Sequence, residues 1–254
     1  FSIDDLSSCK WQSIIDSAKK LRHSQLSYGK RWIFPEVGFL PVIDNKFIKD
    51  DYLETYSSSK VDLIAGTTLD EYKLWSSFHP NIGKNEKEFI NKRLLKMFET
   101  DKLSELISAY REYLNTRELG NIYSAILTDI CFGIPTHKTL QKKVGNSYGY
   151  LFSTQSEILG GKLGCFHASE LPYVFGVHIK RPYSSWGPKD SQQISDNFQI
   201  PWSRFSKEGN PSFGDFTWNT YNDAFELALI GKNIGAIRNP FLERYELIEK
   251  YKIF

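Results

Sequence analysis

The chain has 254 residues, a formal net charge of +2, 41% hydrophobic residues and 24% charged ones. That length can bury a sizeable core within one domain, and the composition excludes a disordered or collagen-like polymer. So small and evenly spread a charge leaves no footprint for nucleic acid or an anionic membrane surface, and no apolar run reaches the length of a membrane span.

Along the chain, Trp11, Ile14, Ile15, Ala18 and Leu21 recur at helical spacing, which predicts an amphipathic helix capped by Ser7 or Ser8. Residues 29–50 form an aromatic, proline-punctuated loop region. Residues 61–65 are short, mostly apolar and partly β-branched, the pattern of a buried strand. Helical patterning follows at 89–98, 103–114 and 122–130, and Pro135 is expected to close that block. Residues 148–153 read as the next strand, fed by a polar turn at 144–146. After a connector at 184–190, Ile194, Phe198, Trp202 and Phe205 mark a helix that Pro201 should kink or split into two. Residues 225–230 and 234–237 flank Gly231-Lys232-Asn233 and predict a hairpin; a last helix runs from about 241 to 251. Strands alternating with long helical blocks place the chain in the α/β class.

Cys9, Cys131 and Cys165 are too few and too scattered for a disulfide framework or a metal knuckle. No His, Glu or Cys spacing suggests a metal, and no cofactor is expected. There is no N-x-[ST] glycosylation acceptor; localisation stays open, with the cytoplasm favoured over secretion. The 18 Phe, 14 Tyr and 6 Trp could line an apolar pocket, although core packing is their commoner role.

Two segments carry chemistry. Ala65-Gly66-Thr67-Thr68-Leu69-Asp70-Glu71 places acids after the first strand. About a hundred residues later, Gly164-Cys165-Phe166-His167 places an imidazole on a loop after the second. A carboxylate and then an imidazole, presented from two strand ends, are two members of a Ser…Asp/Glu…His triad whose nucleophile must lie upstream. Neighbouring side chains leave a strand end in different directions, so at most one of Asp70 and Glu71 can face His167. The plainer reading makes both acids solvated groups at a helix N-terminus, with Asp70 as cap. His23, His79, His137 and His178 lack such context and are read as structural.

Gly145-Asn146-Ser147-Tyr148-Gly149 fits the G-x-S-x-G string of a nucleophile elbow. An elbow requires a strand before the serine and a helix after it. Here a basic polar run precedes the string and a strand follows, in the wrong chain order between acid and base, so Ser147 is not expected to be the nucleophile. Cys165 is likewise read as a small apolar residue, not an attacking thiolate.

Several stretches together resemble the type-B carboxylesterases, the group that includes the cholinesterases. Gly66-Thr67-Thr68-Leu69-Asp70-Glu71 with Leu74-Trp75 is similar to their acid-bearing segment, and residues 164–175 to their histidine segment. Phe39-Leu40-Pro41-Val42-Ile43-Asp44 is similar to their F-x-P-V-x-D. Asp129-Ile130-Cys131-Phe132-Gly133-Ile134-Pro135 is similar to D-x-x-F-x-x-P, and residues 202–211 to W-x-x-F-x-x-x-G-x-P. These motifs stand in the family's order over most of the chain; Pro201, before the last, is a departure.

The resemblance implies that Glu71 is the triad acid, His167 the base and Asp70 a neighbouring structural acid. It implies that Glu170 is a hydrogen-bond partner near the histidine. Trp75, Phe78 and Phe132 would help wall the acyl pocket, with core packing as the alternative. The fold implied is the C-terminal half of one α/β-hydrolase domain over residues 1–254, a mostly parallel sheet flanked by helices. The nucleophile elbow and glycine-rich oxyanion loop would lie in an N-terminal half, on the same polypeptide or on a partner. The substrate class would be small-molecule carboxylic esters, and the 254 residues alone would be inactive. The rival reading is a non-catalytic binding or adhesion module of the same fold.

Overall fold

The computed structural model describes residues 7–28, 44–48, 59–82, 84–180, 184, 186–188, 191–222 and 224–253. Residues 1–52 with 254, and residues 53–253, form two units. In the first, helix α1 spans Trp11–Tyr28. Ser7 and Ser8 are themselves helical, so neither caps α1. Most of the 29–50 region, including residues 39–43 of the Phe39–Asp44 motif, lies outside the described residues. Asp44 is described, and its carboxylate accepts the amides of Lys46, Phe47 and Ile48.

The second unit is built on a four-stranded sheet in the order β1-β2-β3-β4, where β1 is Leu63–Thr68, β2 Ser147–Phe152, β3 Glu226–Ile230 and β4 Ile234–Arg238. The first three strands are parallel, with Leu63 opposite Ser147 and Phe152 opposite Ile230; β4 returns antiparallel through the turn at 231–233. Side chains alternate across a strand, and both faces of this sheet are covered. On one face Tyr148, Phe152, Ala228 and Ile230 pack with Ile194, Phe198 and Trp218. On the other, Leu151 and Leu227 pack with Leu140 and Tyr221. Parallel strands buried on both faces need such a double covering.

Between β1 and β2 run α2 (Lys73–Ser77), α3 (Glu86–Leu94), α4 (Thr100–Leu114) and α5 (Leu119–Thr128), then a π-turn (Asp129–Gly133) and α6 (Ile134–Gln141). After β2 come a short 3-10 segment at 158–161, α7 (Leu171–Val174) and α8 (Ser191–Glu208), and the chain closes with α9 (Leu242–Tyr251).

Four details depart from the sequence reading. The first strand runs from Leu63 to Thr68, not over 61–65, and so passes through Gly66. A Cβ at Gly66 would collide with the Tyr150 ring across the parallel pair, so the glycine serves close strand approach and not a turn. The helix expected at 89–98 lies one turn earlier, at 86–94. Pro135 does not end the block after α5: it lies in α6 directly after the π-turn, and the chain stays helical to Gln141. Pro201 does not split α8, which remains an 18-residue helix. Burial of Ile194, Phe198 and Pro201 itself offsets the roughly 3 kcal/mol such a proline costs a helix interior. The 184–190 connector lies partly outside the described residues.

Candidate active site

The ends of β1 and β2 deliver two loops to the same carboxyl edge of the sheet. Pairing continues past the strands: Leu69 N–H donates to Phe152 C=O at 3.0 Å and Asp70 N–H to Cys165 C=O at 2.9 Å. Asp70 Oδ2 then accepts Cys165 N–H at 2.9 Å, and Asp70 forms a parallel bridge with Phe166. Gly164 has φ +61°, and a Cβ there would strike the Asp70 carboxylate, so this clasp requires glycine. Asp70 therefore does not cap a helix, as its position in the sequence suggested. It stitches the acid loop to the histidine loop, with Lys73 Nζ at 3.7 Å as its ionic neighbour.

Glu71 is 4% exposed, and both of its carboxylate oxygens are engaged. Oε1 accepts Thr68 N–H at 2.7 Å, turning the side chain back over its own strand end. Oε2 lies 2.6 Å from His167 Nδ1 across 96 residues of sequence. The next residue, Tyr72, donates its N–H to Thr128 Oγ1 at 3.0 Å, fixing the acid loop to the end of α5.

A carboxylate accepts only, so His167 Nδ1 is the donor, and in the neutral ring Nε2 is left as an acceptor. The side chain of His167 is 41% exposed, so the ring is open to solvent on part of its surface. The hydrogen bond to Glu71 raises the imidazole pKa above its ordinary value, against the opposing effect of burial.

Two of the three aromatic residues singled out in the sequence stand beside this ring. Trp75 lies 5.0 Å and Phe132 5.2 Å from His167, and the two stack on each other at 6.0 Å. Phe78 is not brought into the group; it is 63% exposed at the end of α2. Glu170 is close to the pair, yet its Oε2 has no hydrogen-bond partner, so the hydrogen bond expected of it is not made by that oxygen. Burial pushes its carboxyl up to about 7, an effect to which the Glu71 charge adds.

Ser147 is the first residue of β2, at the opposite end of the strand from the histidine loop, where its buried hydroxyl donates to Leu140 C=O at 2.8 Å. Cys165 is fully buried, with Sγ 3.1 Å from Phe152 C=O, and burial raises its thiol pKa. Neither group is presented as a nucleophile. Among the described residues, no cluster of three His, Cys, Asp or Glu could hold a metal ion, and no helix is long and apolar enough to cross a membrane.

Sequence reasoning missed the clasp at Asp70, the Thr128 tie and the π-turn that carries Phe132. The D-x-x-F-x-x-P string marked the last of these without showing its geometry.

Known proteins share this arrangement of loops and strands. A para-nitrobenzyl esterase structure superposes on 97% of the chain and 50% of its own length, with a TM-score of 0.70 at 23% identity. A thermophilic para-nitrobenzyl esterase gives 0.72 over the same shares of each chain, also at 23% identity. Such likeness shows the fold, that of the α/β-hydrolases. In sequence, the bile salt-activated lipase of Bos taurus is 30% identical over 212 residues, 73% of this chain and 35% of that protein. The human (Homo sapiens) bile salt-activated lipase is 28% identical over 199 residues, 70% of this chain and 26% of its own. The para-nitrobenzyl esterase of Bacillus subtilis (strain 168) is 24% identical over 235 residues, 90% and 45%. The chain thus spans between a quarter and a half of the length of these relatives. The model of the carboxylesterase family matches residues 6–245, nearly the whole chain and both loops of the site, and the protein belongs to that family.

Proposed function

We propose that His167 and Glu71 are the general base and its carboxylate partner in serine-dependent hydrolysis of small carboxylic esters. The observation that carries this reading is the 2.6 Å contact between His167 Nδ1 and the doubly held Glu71 carboxylate, on a ring that is part-exposed. In that chemistry His167 Nε2 takes the proton of a serine hydroxyl as the oxygen attacks the ester carbonyl. Glu71 stabilises the resulting imidazolium, which then protonates the departing alcohol. A water, deprotonated by the same nitrogen, hydrolyses the acyl-enzyme and restores the serine. Trp75 and Phe132 present an apolar wall to the substrate beside the imidazole.

We assign the serine and the oxyanion donors to a polypeptide segment that adds to the sheet alongside β1. Among the described residues β1 is paired on one side only, and its first five residues are part-exposed, a row of backbone groups suited to a further strand. We call the product of that addition the assembled esterase. Survival of the acid–histidine geometry supports catalysis over an adhesion role, for which neither the buried carboxylate nor its tautomer-fixing bond is needed.

The test is p-nitrophenyl acetate hydrolysis and fluorophosphonate labelling, by the 254-residue chain alone and with the family's N-terminal half supplied. Turnover and a labelled serine are expected only in the second case. Turnover with serine labelling by the chain alone, or no turnover in either, would contradict the assignment.

A further inference from the structure

We propose that Arg244, in the C-terminal helix, is a positioning residue that sets the substrate wall beside His167, acting through Asp129 and the π-turn that carries Phe132. The inference rests on the hydrolase reading above and adds to it a determinant of substrate selectivity remote from the chemistry.

Asp129 opens the π-turn and is 1% exposed. Arg244 grips it with both prongs, Nε to Oδ2 at 2.8 Å and Nη2 to Oδ1 at 2.6 Å, and the Tyr110 hydroxyl donates to the same carboxylate. The guanidinium lies 4.4 Å from the Phe241 ring and 5.2 Å from that of Tyr110, so its plane is fixed as well as its charge. Two further ties hold the turn at its ends. Thr128, just before it, accepts the Tyr72 amide next to Glu71. Gly133, its last residue, sits against Tyr245, whose hydroxyl would collide with a Cβ there. Phe132 is the residue of the turn that reaches the site, stacked on Trp75 and beside His167.

The shape of the turn gives the clamp its consequence. A π-turn is rarer than an α-turn and persists where the surroundings hold it. In its wider i→i+5 geometry each residue turns through less than the ~100° of an α-helix. Phe132, three residues after Asp129, therefore stands further round the axis from the clamped carboxylate than an α-turn would place it. Releasing Asp129 lets the segment relax toward α geometry, which rotates Phe132 relative to the imidazole. An Arg–carboxylate fork is geometrically exacting, which a lysine cannot reproduce.

Cutting one partner alone would strand a buried charge, whereas replacing the whole group by apolar residues can leave stability intact. The decisive variants are therefore Tyr110→Phe/Asp129→Leu/Arg244→Met together, and Arg244→Lys as a charge-preserving second. Each is made in the assembled esterase and in its Phe132→Ala background. The readouts are Tm and the kcat/KM ratio for p-nitrophenyl octanoate over acetate. We expect Tm within a few degrees of the parent for at least one variant and a ratio shifted about fivefold or more. The shift should vanish in the Phe132→Ala background, the non-additivity of residues acting through one another. A ratio unmoved in a folded variant, or a shift that persists without Phe132, overturns the inference while leaving the hydrolase reading standing. An inactive parent overturns both.

Discussion

Removing the Asp70 carboxylate tests how the two loops are held in register. In Asp70→Ala the Cys165 amide, otherwise bonded at 2.9 Å, loses its acceptor in a residue that is fully buried. An orphaned buried amide costs about 1–3 kcal/mol. The Lys73 contact at 3.7 Å, between side chains 25% and 27% exposed, adds under about 1 kcal/mol, because such partly exposed pairs are screened. We therefore expect a loss of about 2–3 kcal/mol, read by urea unfolding of the assembled esterase. The backbone bond from Asp70 N–H to Cys165 C=O survives the substitution, so the loops should loosen without separating. A loosening of about 1 Å at His167 is enough to lower kcat by about a hundredfold. Asp70→Asn retains an acceptor oxygen and should lose under about 1 kcal/mol and only a few-fold in rate. Wild-type stability and turnover in Asp70→Ala, or an Asn variant as impaired as the alanine, would refute this account of the clasp.

Other substitutions probe separate parts of the site. Glu71→Gln removes the negative charge that, with its hydrogen bond, raises the His167 pKa. Because the base works unprotonated, kcat/KM rises with pH through that pKa, so the acid limb should move to lower pH while the maximum falls steeply; an unmoved limb would detach the limb from this pair. Ala168 follows the histidine with φ +66°, a conformation that costs an L-residue about 1–2 kcal/mol. Ala168→Gly should raise stability by about 1 kcal/mol in urea unfolding, and a loss would contradict the assigned strain. Ser147→Ala should cost about 1 kcal/mol by leaving the Leu140 carbonyl unpaired, with ester hydrolysis within a few-fold of the parent; a loss of several orders of magnitude would identify Ser147 as a nucleophile.

What the sequence made legible was what is local. The β-type run at 148–153 marks β2, and the turn at 231–233 declares its hairpin through one glycine between two apolar runs. Glu71 and His167 stood out because each follows a strand end within a recognisable string. Pairings over long separations leave no such trace. Nothing near Arg244 announces that it will grip Asp129 across 115 residues. Asp70 and Glu71 are adjacent acids whose opposite duties, one to a backbone amide and one to an imidazole, follow from the sheet placing two loops edge to edge. The prolines misled for a related reason. Their local cost is real, but at Pro201 burial against the core outweighs it, and at Pro135 the π-turn just before it already interrupts the regular α-helical ladder.

The proposed hydrolysis rests most on His167 as the base. Steady-state hydrolysis of p-nitrophenyl acetate by the assembled esterase, with His167→Ala beside the parent at equal folded concentration, tests it directly. Triad members act as a unit, so the substitution should lower kcat by roughly four to six orders of magnitude while KM changes little. Turnover within tenfold of the parent would show that the imidazole is not the base and that the Glu71–His167 pair has a structural purpose only.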